Sequence, residues 1–92
     1  MDYRGALVAA GYQVEEDAAV LNLSPQVEVR ANGLNHLLST CESHNLNPLQ
    51  VLGSIVENIK TQPSVKQALE TPPSTKCHIN VTLKNIRFES QN

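Results

Sequence analysis

The sequence predicts a small α+β fold, in which an antiparallel sheet packs against a helical hairpin and a C-terminal strand or hairpin completes it. Three observations lead there. Leu34, Leu37, Leu38 and Cys41 recur at helical spacing, and Leu49, Leu52, Val56 and Ile59 do so again after a tight Asn45-Leu46-Asn47-Pro48 break. Gln26-Val27-Glu28-Val29-Arg30-Ala31 alternates apolar and polar residues, the pattern of a half-buried strand. Cys77, Ile79, Val81 and Leu83 alternate in the same way with His78, Asn80, Thr82 and Lys84. A chain of 92 residues is expected to form one domain spanning 1–92.

Taken in order, Asp2 to Ala10 reads as a short helix, with Gly11 placed to end it. Tyr12-Gln13-Val14-Glu15 begins a strand, Glu16-Asp17 is a polar turn, and Ala18 to Leu23 forms a second strand. Ser24-Pro25 marks the next turn, because proline cannot donate to a sheet. The strand from Gln26 should turn Val27, Val29 and Ala31 inward and Gln26, Glu28 and Arg30 outward. Asn32 is positioned to cap the first hairpin helix and Asn47 the second, with Pro48 at its first turn. Pro63 ends that second helix, and Val65, Ala68 and Leu69 fit a short further one. Thr71-Pro72-Pro73-Ser74-Thr75 reads as a stiff linker. Inward parity flips at Ile86 and Phe88, which predicts a turn at Lys84-Asn85 or a bulge.

Composition narrows the function classes. Aromatics are confined to Tyr3, Tyr12 and Phe88, so the core must be aliphatic and base stacking has little material. Net charge is −2, but residues 1–57 set Arg4 and Arg30 against seven carboxylates, a balance of −5. Residues 58–92 set Lys60, Lys66, Lys76, Lys84 and Arg87 against Glu70 and Glu89, a balance of +3. Opposed poles can steer a charged partner or favour self-association. No stretch is long and apolar enough for a membrane span, and the start Met1-Asp2-Tyr3-Arg4 lacks the basic and apolar regions of a signal peptide. The expected location is therefore cytoplasmic, with free thiols and no use for the Asn80-Val81-Thr82 sequon.

Site chemistry is sparse. Cys41, His44, Cys77 and His78, with His36, are the metal-capable residues, but adjacent side chains on a strand diverge and paired Cys-x-x-Cys spacing is absent. Cys41 shares the Leu34, Leu37, Leu38 stripe and reads as a core residue. No phosphate loop, nucleophile elbow or paired histidine motif occurs, so neither a catalytic residue nor a cofactor is assigned. Glu15, Glu16 and Asp17 read as a solvated turn.

The expected function is that of a small non-enzymatic regulatory or adaptor protein acting through protein–protein contacts, with homodimerisation expected. Val51 and Ile55 widen the second hairpin helix beyond one stripe, so Val51, Ile55, Ile59, Ile86 and Phe88 are the candidate interface residues. The alternative comes from a resemblance. Gln26 to Arg30 followed by helices at 32–44 and 47–60 resembles the strand, helix, turn, helix order of ribbon-helix-helix DNA-binding proteins. That resemblance implies a dimer whose paired strands enter the major groove, with Gln26, Glu28 and Arg30 toward the bases and Asn47 at a phosphate. Residues 31–59 contain no lysine or arginine, so the protein-contact reading comes first.

Overall fold

The computed structural model describes residues 2–71 and 74–86. The element order is α1 (Tyr3–Ala9), β1 (Gln13–Val14), β2 (Ala18–Ser24), β3 (Val27–Asn32), α2 (Leu34–Ser43), α3 (Pro48–Lys60), α4 (Pro63–Glu70) and β4 (Cys77–Thr82), followed by a 3-10 turn at Leu83–Asn85.

The local stops lie where the sequence placed them. Gly11 has φ +104°, and Tyr12 N–H donates to Leu7 O while Gly11 N–H donates to Val8 O. This is the paired bonding that closes a helix with a left-handed residue, and Tyr12 and Leu7 then share one core cluster. The break after α2 repeats the device with Asn45 at φ +54°: Leu46 N–H donates to Cys41 O at 2.8 Å. Asn47 follows at once as the cap of α3, its side chain accepting from Leu49 N–H, with Pro48 opening the helix.

The sheet order is β1-β2-β3-β4. β1, β2 and β3 form an antiparallel meander, with a shift in register between Asn22 and Ser24. β4 differs from the expected antiparallel arrangement. It runs parallel to β3, with Val27 opposite Cys77 and Asn32 opposite Thr82. The reason is the crossover. Three helices separate β3 from β4, returning the chain to the end at which β3 began.

The register sorts the two faces. Val14, Ala19, Ala31 and Val81 form one row across the sheet, and Leu21, Val29 and Ile79 another. Both rows face the helices. Leu7, Ala19, Ala31, Leu34, Leu37, Cys41, Leu52, Val56 and Leu83 make one buried cluster, while Val27, Val29, Ile59 and Val65 make a second. α3 serves both, with Leu52 and Val56 in the first and Ile59 in the second; Ile55 packs partly against each. The breadth of its apolar surface is thus used inside the chain. A Cβ at Gly53 would meet nothing within 4 Å among the described residues, so space there does not require glycine.

The start of α2 differs from the sequence expectation. Asn32 does not cap α2. It ends β3 and accepts a hydrogen bond from Arg30 Nε at 3.1 Å. The residue before the helix is Gly33, at φ +90°. There a Cβ would stand 2.9 Å from Lys84 Cγ and 3.1 Å from Lys84 N, so both conformation and space call for glycine. The cap comes from elsewhere in the chain: Asp17 Oδ1 accepts from Asn35 N–H, and Asp17 O accepts from Gly33 and Leu34 N–H. Ile59, on the main apolar stripe of the second hairpin helix, is 5% exposed and belongs to the second cluster.

Candidate functional site

The face of the sheet turned away from the helices is polar. Its rows are Gln13, Val20, Arg30 and Asn80; Ala18, Asn32 and Thr82; and Asn22, Glu28 and His78. Val20 and Ala18 are buried although neither belongs to a core cluster. Arg30 Nη2 reaches Glu15 Oε1 at 2.6 Å, and this bridge spans from β3 over β2 to the turn after β1. Arg30 stands opposite Val20 in the register, on the same face of the sheet.

At one end of this face a cleft of about 310 Å³ is lined by Glu15, Glu16, Asp17, Ala18, Arg30, Asn32, Gly33, Thr82 and Lys84. The acidic triplet is therefore not a freely solvated turn. Glu15 is held by Arg30, and Asp17 is occupied with the amides that open α2. Its charges hold the turn to the sheet and the helix. Sequence reading missed this because the arginine and amides that bind the carboxylates lie some 15 or more residues away.

At the other end Glu28 gathers two basic groups from β4 and its approach. Lys76 Nζ lies 3.6 Å from Oε1, and His78 Nδ1 lies 3.2 Å from Oε2. The Glu28 carboxyl is held below its usual pKa, chiefly by the His78 hydrogen bond with the Lys76 charge adding to it. This cluster exists because the parallel register sets Glu28 opposite His78, 50 residues away.

Among the described residues, β4 forms one edge of the sheet. Cys77 N–H donates to Gln26 O at 2.7 Å, so the backbone groups of Cys77, Ile79 and Val81 point toward β3. Strand alternation then directs the N–H and C=O of His78, Asn80 and Thr82 to the open side. Among the described residues no strand pairs there. Natural edges are commonly guarded by proline, bulges or charged residues. Cys77–Thr82 contains no Pro, Lys, Arg, Asp or Glu, and it pairs with β3 without a bulge.

The remaining predicted site residues are dispersed. Val51 and Ile55 are half-buried against the core, and Ile86 packs partly on the first cluster. Phe88 lies outside the described residues. Gln26 sits in the two-residue turn between β2 and β3, with its N–H donating to Ser24 Oγ. Asn47 is engaged as the α3 cap. Cys41 is wholly buried in the first cluster, where burial pushes its thiol pKa up, while Cys77 lies beside the second. His44 Nδ1 lies 2.9 Å from Thr40 O. Among the described residues no three His, Cys, Asp or Glu side chains gather to hold a metal ion. Likewise, no described helix is long and apolar enough to cross a membrane.

The ribbon-helix-helix geometry needs a strand free to pair with its copy in a dimer. β3 is instead an interior strand, with β2 on one side and β4 on the other. Arg30 and Glu28 are also bound to neighbouring side chains on that face. No family model, curated protein or solved structure matches this chain, so the functional reading rests on the geometry above.

Proposed function

We propose that this chain is a non-enzymatic interaction domain of regulatory or adaptor type, which binds a protein partner by adding a strand to the free edge of β4. The observation that supports this reading is the unguarded six-residue edge, with the backbone groups of His78, Asn80 and Thr82 directed outward. Main-chain bonds from that edge supply affinity. The side chains of His78, Asn80 and Thr82 on the polar face, and of Ile79 and Val81 on the helix side, supply selectivity.

The test is amide hydrogen exchange on the chain with and without an extended peptide chosen by display selection. Exchange at His78, Asn80 and Thr82 should slow on binding, while Cys77, Ile79 and Val81 change little because β3 already holds them. Binders that leave those three amides unprotected and perturb another surface would sink the reading.

A further inference from the structure

We infer that the strand added at this edge is β4 of a second copy of the chain, antiparallel to the first about a two-fold axis at Ile79. The inference rests on the strand-addition reading and names its occupant. It starts from the side-chain order along β4. A two-fold contact must be self-complementary, because the same patch faces itself. With the axis at Ile79, each Ile79 meets the other, and Cys77 meets Val81 of the second copy. Both pairs are apolar and lie on the helix side, where Cys77, Ile79 and Val81 are each only half-buried within one chain. On the polar side His78 meets Asn80 of the second copy.

The end of the strand selects this axis over its neighbour. An axis one residue later, at Asn80, would need Leu83 of the second copy opposite Cys77, but Leu83 has left the strand for the 3-10 turn and is fully buried. At Ile79, Lys76 faces Thr82, and its charge is already balanced by Glu28 on its own chain at 3.6 Å. The backbone agrees. His78 and Asn80 carry outward groups, so the two reciprocal pairs exchange about four hydrogen bonds. Ile79 and Cys77 then fall in the closely spaced pairs without main-chain bonds between them. The result joins two four-stranded sheets into one, with all helices on the same face. The outermost strand at the opposite edge is shorter, since β1 has only two residues.

Two variants test the inference alongside sedimentation of the wild-type chain. Wild type should sediment as a dimer at high micromolar concentration. Asn80→Pro removes an outward N–H and leaves the bonds to β3 in place, so it should sediment as a monomer with an unchanged circular dichroism spectrum. Val81→Cys should form a covalent dimer through Cys77 of the second copy under mild oxidation, and adding Cys77→Ser should abolish it. Closely spaced antiparallel pairs have Cα atoms about 4.5 Å apart, within disulfide reach. Positions 77 and 81 of one strand lie about 13 Å apart and cannot bridge. Cys41 is buried and does not compete.

A wild-type monomer overturns the inference. If that monomer still protects His78, Asn80 and Thr82 on binding a foreign peptide, strand addition survives with another occupant; if it does not, both fail. A dimer that persists in folded Asn80→Pro overturns the inference as well. Should Asn80→Pro not fold, the cross-link decides, and its absence overturns the pairing proposed.

Discussion

β1 closes one edge of the sheet with two residues and a charged turn, whereas β4 forms the other with six residues and no lysine, arginine, aspartate or glutamate. Around β1 the charges are directed inward to structural tasks, with Glu15 on Arg30 and Asp17 on the start of α2. Around β4 the charges of Lys76 and Lys84 flank the strand and leave its backbone open. The first edge is made by a meander of near neighbours. The second is made by a crossover of three helices and is anchored just beyond its end by Leu83, which is fully buried. An edge built by local turns can be short and capped in place. One delivered from far along the chain depends on the core for its position and can remain available for pairing.

The largest expected effect breaks that dependence. Leu83→Ala removes a wholly buried side chain of the first cluster and should cost about 2–5 kcal/mol in denaturant unfolding. Exchange of the β4 amides should rise more than that of the β2–β3 amides. An unchanged denaturation midpoint would show that β4 is held without this anchor.

Next is Gly33, where the end of β3, the start of α2 and Lys84 beyond β4 come together. Gly33→Ala combines a left-handed backbone with a close approach to Lys84 and should cost about 1–3 kcal/mol. Adding Lys84→Ala should recover only part of the loss, because the Lys84 backbone nitrogen and the φ of +90° remain. Full recovery would place the whole cost in the lysine side chain.

A smaller effect is expected at the turn beside β1. Asp17→Ala deletes the cap that this turn lends to α2 and should cost about 0.5–2 kcal/mol, with Asp17→Asn nearer to wild type. Equal thermal stability of Asp17→Ala and wild type would mean that solvent satisfies the Asn35 amide as well as the carboxylate does.

The smallest effect concerns the clasp of β4 on β3. His78→Ala should raise the Glu28 carboxyl pKa toward its ordinary value, as read by carboxyl carbon shifts in an NMR titration. The folded pKa lies below the unfolded one, so the Glu28 contribution is present above the unfolded carboxyl pKa. It is lost as pH falls through the folded value. An unmoved Glu28 titration in His78→Ala would assign the shift to Lys76 instead.

Local signals were legible because each acts within a few residues. Gly11 and Asn45 stop helices through a left-handed backbone, and Asn47 and Pro48 start one through a side-chain cap and a fixed φ. Alternation at Val27, Val29 and Ala31 gave the buried parity of β3 directly. Cys41 read as core, and it is wholly buried. Long-range relations were not legible. Ile55 read as surplus apolar surface because the second cluster it packs against joins Val27 and Val29 of β3 to Val65 of α4, far apart in sequence. Nothing near Gly33 in the sequence signals the Lys84 backbone that stands beside it.

By itself the sequence determined the helices, the strands, the turn positions and which side of each strand is apolar, since periodicity and capping depend on neighbours along the chain. Tertiary structure decided the direction of β4, the capping of α2 by Asp17, the bridge from Arg30 to Glu15 and the grouping of Glu28 with Lys76 and His78. Each of these joins residues far apart in sequence. Alternation along a strand is the same whether its partner runs parallel or antiparallel, so only the packed core could choose between them.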